Sequence, residues 1–278
     1  MFYVIDAEGE RRFLGNNPAP VRLPWLKYGS TPECPLIART KWKPLIDELP
    51  GGNGPEWPFL SPTHDQNGKG QCNADATTSA MESQRLKQGL PLVMLSSGDL
   101  YHRINGGADR GSLLEDGLAE SRNGVATIED CNGNVWRNGR WQPGTDEQRA
   151  PFKVLEVYLC PTFDHCMSAV LMGFDLVSGI MWYANYKPER DGWLPVGRGS
   201  AGGHAVHGYK ATYRGGQFGI WHKNSWGMNW GLQVEGIGGL CVFPESVYRG
   251  PVGGWWAIRS ITDPGTDQLP LPGGGRLI

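Results

Sequence analysis

From residue 152 onward, apolar and aromatic positions come in short runs separated by turn residues. FKVLEVYLC (152–160), AVLMGFDLVSGIMWYANY (169–186), HAVHGYKATYR (204–214) and QFGIWHKNSW (217–226) are rich in β-branched and aromatic side chains, which predicts strands. The start of the second run, AVLMGF, fits a helix equally well. Arg214-Gly215-Gly216 between the last two runs predicts a hairpin that folds them back on each other. Upstream the pattern differs. Residues 72–88 combine small residues with helix formers and end at Gly89 and Pro91, which predicts a helix. GSLLEDGLAESRNG (111–124) predicts a second one, with Ser112 as N-cap, Glu115 three residues on and Gly124 at its end. Residues 125–150 are polar and glycine-containing, a loop. Residues 1–57 alternate proline and glycine with short apolar runs such as FYVI and PLIDEL. They predict an extension of strands and loops wrapped on the main body, with a boundary in ELPGGNGPEWP (48–58). The main body then covers 58–261, helical over about 58–150 and strand-rich over about 151–261, followed by a tail at 262–278. No internal repeat is visible. Helices first and strands afterwards point to an α+β fold.

Composition narrows the class without naming a chemistry. The 278 residues carry a net charge of −2 and no block of lysine or arginine, which argues against nucleic acid as a partner. The N-terminus has acidic residues early and no apolar segment of signal-peptide length, and no run is long enough to span a bilayer. The expectation is a soluble protein without membrane contact, cytoplasmic or virion-associated. Six cysteines at irregular spacing, with no export signal, read as mostly reduced thiols. Cys160 and Cys166 flank His165 in CPTFDHC, but no second ligand pair lies nearby; two buried thiols and a loop histidine are the better reading, and no metal or cofactor is implied.

Candidate chemistry begins at Cys72. A thiol placed where a helix starts gains from the partial positive charge there, which favours the thiolate. Such a nucleophile needs a base, and the base needs an orienting group. Pairing outward from the Arg214–Gly216 turn places His204 within about two residues of Asn224 on the adjacent strand. An imidazole and a carboxamide are thus neighbours by register alone.

These residues resemble the papain family of cysteine peptidases. Gln66 precedes Cys72 by the family's spacing in QNGKGQC. His204-Ala205-Val206 matches its HAV, and Lys223-Asn224-Ser225-Trp226-Gly227 with Trp230-Gly231 matches its KNSWG…WG. Leu95-Ser96 and Leu100 match a further element after the first helix. The resemblance covers roughly residues 58–250. It implies a two-lobed fold, with a helical lobe carrying Cys72, an antiparallel β lobe carrying His204 and Asn224, and the site in the cleft between them. It implies a Cys72 nucleophile, His204 as its proton partner, Asn224 holding the ring, and Gln66 with the Cys72 N–H as oxyanion donors. Trp226 would shield the histidine contact from water. His207 and His222 lie in the same hairpin but do not match the family position. Backbone recognition of an extended substrate implies a glycine before the second helix: Gly107 in NGG, by local motif, or Gly111, by distance to NGV, the latter preferred.

The sequence departs from the family at Asn73 and Asp75, where aromatic residues are usual, and at Lys69, where a disulfide partner is usual. A carboxylate at 75 is expected to raise the thiol pKa; Lys69 is a candidate to stabilise the thiolate instead. Residues 1–57 lack the long amphipathic pattern of a helical inhibitory propeptide, so autoinhibition by that route is not expected, and packing on the body or assembly with a partner is. The leading reading is a cysteine peptidase acting on protein or peptide substrates. Its rivals are a catalytically weak papain-fold assembly protein and a cell-wall peptide amidase using the same Cys–His chemistry.

Overall fold

The computed structural model describes residues 2–262 except 106–107 and 137–141. The chain opens with a small hairpin, β1 (Phe2–Ile5) and β2 (Arg11–Leu14). A short helix α1 (Trp42–Asp47) follows, then the long helix α2 (Cys72–Lys87). Three short helices come next: α3 (Ser97–Ile104), α4 (Leu114–Ser121) and α5 (Asp146–Arg149). Ser96 caps α3 by accepting the Asp99 N–H, and Thr145 and Gln148 form a capping box on α5.

Strand β3 (Val154–Leu159) leads to helix α6 (Phe163–Leu171) and strand β4 (Asp175–Tyr183), so the ambiguous AVLMGF run closes a helix and turns at Gly173. The predicted hairpin is β5 (Ala201–Arg214) and β6 (Gln217–Lys223). Its turn is Gly215-Gly216, both at positive φ (54° and 82°), where side chains are disfavoured. β7 (Leu232–Val234), β8 (Ile237–Pro244) and β9 (Trp255–Ile261) complete a seven-stranded sheet of order β3-β9-β4-β5-β6-β8-β7, whose pairings are antiparallel.

Two cores flank this sheet. One is rich in tryptophan and lies under β4–β8 and α6; residues 1–57 supply Val4, Leu14, Tyr28, Trp42, Ile46 and Trp57 to it. The other joins α2, α3 and α4 to β3 and β9. Every residue of α2 from Cys72 to Arg85 is buried, polar ones included. A buried polar helix is tolerable only if its side chains find partners. Asp175 supplies several: it accepts from Ser83 Oγ (3.1 Å), Gln84 Nε2 (2.7 Å) and Lys87 Nζ (2.8 Å), and meets His207 Nε2 at 2.8 Å. This carboxylate fastens the end of α2 to β4 and β5.

The second predicted helix begins later than the sequence pattern suggests. Leu113 is its N-cap residue and makes no side-chain cap. Ser112 is instead engaged by Asn73, whose Nδ2 donates to the Ser112 carbonyl (2.8 Å) and Oγ (2.9 Å). Glu115 is taken by the N-terminal segment: its carboxylate accepts the Arg22 and Leu23 N–H groups and Trp25 Nε1.

Candidate active site

Cys72 is the first residue of α2, at the seam between the two cores. It is fully buried, and burial pushes its thiol up to about 12. The Ala205, Gly15 and Asn73 backbones oppose that shift, while the Asp75 carboxylate adds to it, in the direction its position suggests. The Ala205 contact sets the thiol against the strand that carries His204.

His204 Nε2 meets Asn224 Oδ1 at 2.8 Å. The bulge in the β5–β6 ladder near Gly208 and Lys210 leaves the two residues close enough for this side-chain bond. Asn224 Oδ1 also accepts the Ser225 N–H (2.8 Å), which fixes the carboxamide as acceptor toward the ring. Among the described residues, His204 Nδ1 has no hydrogen-bond partner. The Trp226 and Trp182 rings each lie 5.0 Å from the imidazole and keep water from it. Burial lowers the imidazole to about 4 despite the Asn224 bond. Trp182 was not singled out by motif; its register opposite Gly202 on β5 places it there.

Gln66 is buried beside this group. Its Oε1 accepts from Ser225 Oγ (2.9 Å), and its Nε2 donates to the carbonyls of Lys69 (2.6 Å) and Phe13 (3.0 Å). The Phe13 contact opens a feature the sequence pattern did not single out. Residues 13–17 form a strap between the Ser112 and Gly203 backbones, with Gly15 beside the Cys72 thiol. Gly15 accepts the Ser112 N–H (2.8 Å), Asn17 N–H donates to the Ser112 carbonyl (2.9 Å), and Asn16 N–H donates to the Gly203 carbonyl (3.2 Å). Asn16 pairs with Ser112 in the parallel sense. A side chain at position 15 would bring its Cβ within 1.9 Å of the Gly70 carbonyl oxygen, so only glycine passes there. Asp6 and Arg12 pair at 2.7 Å, and the Arg12 guanidinium lies 5.3 Å from the Trp226 ring, holding the strap's other end.

The backbone edge that receives the strap is Ser112. Gly111 sits at φ +75° and spends its N–H on Tyr101 Oη (2.9 Å), while its Cβ position is filled by the Gly15 carbonyl. Gly107 lies outside the described residues. Lys69 pairs with Asp109 at 3.8 Å. His207 is held by Asp175 and Ser79 Oγ, and His222 by Tyr248 Oη and Ser178 Oγ, stacked on Phe243. All six cysteines are unpaired and buried, and among the described residues no cluster of His, Cys, Asp and Glu could hold a metal ion. No helix of the described residues is long and apolar enough to cross a membrane.

The fold is that of papain-like cysteine proteases. The chain superposes on xylellain, a cysteine protease from Xylella fastidiosa, with a TM-score of 0.67 at 20% identity, over 89% of this chain and 96% of that one. Procathepsin B S9 from Trypanosoma congolense matches at 0.62 and 15% identity, over 88% and 86%. Digestive procathepsin L 3 from Tenebrio molitor matches at 0.57 and 16% identity, over 88% and 76%. No protein-family model matches the sequence, and no curated protein matches it.

Proposed function

We propose that the protein is a cysteine peptidase that the segment 13–17 holds shut. The observation that carries this reading is the 2.8 Å His204–Asn224 bond, with His204 Nδ1 unpartnered among the described residues, on the strand against which the Cys72 thiol lies. Nδ1 takes the thiol proton, and the Cys72 thiolate attacks a peptide carbonyl. The oxyanion is met by Gln66 Nε2 and the Cys72 N–H; Gln66 Nε2 already donates to a peptide carbonyl, that of Phe13. Collapse of the adduct breaks the C–N bond, His204 protonates the leaving amine, and a thioester remains. Water then attacks the thioester, giving its proton to His204, and releases the carboxylic acid and the thiol.

The strap binds like a peptide but offers nothing to attack. The Gly15 backbone acts on the thiol only as a hydrogen-bonding group that lowers its pKa. Burial beneath it also favours neutral thiol and neutral imidazole over the reactive ion pair. Gly15→Val, which cannot pass the Gly70 carbonyl, is expected to open the cleft. The opened chain should hydrolyse fluorogenic peptides, Cys72→Ala should abolish that activity, and Gln66→Ala should lower kcat by about a hundredfold or more. Hydrolysis that survives Cys72→Ala ends this assignment.

A further inference from the structure

We infer that the pocket beside His204, now filled by the Asn16 side chain, selects an amide side chain on the substrate; this deepens the peptidase reading and rests on it. Asn16 belongs to a bound peptide segment, and its side chain is buried, only 3% exposed. Its Nδ2 donates to the Val252 carbonyl at 2.7 Å and to the His204 carbonyl at 3.4 Å. Two backbone acceptors thus converge at the pocket floor, the second belonging to the residue proposed as catalytic base. The walls are backbone as well. A Cβ at Gly179 would lie 1.9 Å from the Val252 carbonyl oxygen and 3.0 Å from Asn16 Nδ2, and a Cβ at Gly203 would lie 2.1 Å from the Asn16 carbonyl oxygen. Gly253 and Leu114 Cβ close the remaining side, with the Gly253 Cβ position 3.4 Å from Asn16 Oδ1.

Such a pocket is short and rimmed by acceptors. An asparagine fills it and donates to both carbonyls. Leucine or phenylalanine would bury the Val252 carbonyl without a donor, and aspartate would set a carboxylate against it. Because the Ser112 edge and the Gly203 carbonyl bind only backbone, discrimination falls to this side-chain site. In the strap Gly15, beside the thiol, precedes Asn16; a substrate running the opposite way would place its pocket residue before the one at the thiol. The substrate class is therefore a peptide with asparagine at the residue preceding the one whose carbonyl is attacked.

The test uses the full-length Gly15→Val chain and acetyl-X-Z-aminocoumarin peptides, with X as Asn, Leu, Phe or Asp and Z an equimolar mixture. The expected result is kcat/KM at least about tenfold higher for Asn than for Leu, Phe or Asp, as expected when a buried acceptor loses its donor. Equal or faster cleavage of the Leu or Phe series overturns the inference and leaves the peptidase reading standing. If no series is cleaved, the peptidase reading fails, and protection of Cys72 from iodoacetamide by uncleavable acetyl-X-Gly-amide peptides decides the pocket. Asn peptides protecting at about tenfold lower concentration than Leu peptides support it, and equal or absent protection sinks it. If Gly15→Val does not fold, the strap itself is the ligand. Asn16→Leu and Asn16→Asp in the otherwise unchanged chain should each speed Cys72 alkylation at least about tenfold, and unchanged rates overturn the inference.

Discussion

His64 pairs with two carboxylates of α2 and sets how the site's scaffold responds to pH. It is fully buried, with Nε2 3.1 Å from a Glu82 oxygen and Nδ1 3.4 Å from Asp75 Oδ1. Burial alone would lower its pKa, but Glu82 and Asp75 outweigh burial and raise it to about 9. The folded value exceeds the unfolded one of about 6.5, so the imidazolium's contribution is complete below pH 6.5 and fades as pH rises through 9. Lys223 and Lys210, lowered by burial to about 8, have the opposite sign and regain stability between pH 8 and 10.5. Subtracting a variant isolates the histidine. The stability gap between the wild-type chain and His64→Gln, from urea midpoints, should shrink by on the order of 3 kcal/mol between pH 6 and 9.5. The QNGKGQC spacing picked out Gln66 and Cys72 two and eight residues later, but nothing local marks His64, because its charge state depends on carboxylates that α2 brings to it. Asp75 was visible as a departure at the helix start. That it bonds Ser97 Oγ (2.5 Å) and Gln71 Nε2 (3.2 Å) required α3 to be docked.

Among the elements, the β5–β6 hairpin and α2 were legible. Gly215-Gly216 can take the positive φ of a tight turn, and Gly89, after the last helical residues, sits at φ +74°. The strap was not legible, since its bonds beyond the β1–β2 ladder go to partners far away in the chain: Gln66, Ser112, Gly203, His204 and Val252. The extension instead reaches the site as the strap, hydrogen-bonded to Ser112 and Gly203. This has a measurable consequence for the thiol. In the wild-type chain, with Cys72 held near 12 and His204 near 4, iodoacetamide labelling of Cys72 should be slow at pH 6 and climb steadily into the alkaline range. Lifting the strap in Gly15→Val returns water to the sulfur, and labelling at pH 6 should rise at least tenfold, read by mass spectrometry of the Cys72 peptide. A pH profile that is the same in both chains would mean that the strap does not control the thiol.

Across the whole molecule, α2 is a polar helix set in the second core, and Asp175 fastens its end to β4 and β5. Burial alone would raise that carboxyl, but Lys87 and His207 hold it below the usual carboxylate range. Removing one partner of a buried ionic group leaves the others uncompensated. Asp175→Ala should therefore cost about 3–5 kcal/mol, measured by urea unfolding, and Asp175→Asn less, because the amide still fills the site. Equal losses in the two variants would assign the effect to packing rather than charge.

The sequence by itself determined the elements whose signals are local: a helix that starts at Cys72 and stops before Gly89, a hairpin whose register sets His204 beside Asn224, and the α+β order. Turn geometry and capping act within a few residues, so they can be read one stretch at a time. The tertiary structure decided what lies over the thiol, which residue offers the backbone edge, and which acceptors line the Asn16 pocket. Those depend on groups from both ends of the chain meeting at one cleft, as when Asn16 reaches the Val252 carbonyl 236 residues away. Such contacts are chosen by packing and hydrogen-bond satisfaction in the assembled fold, and no short stretch of sequence encodes them.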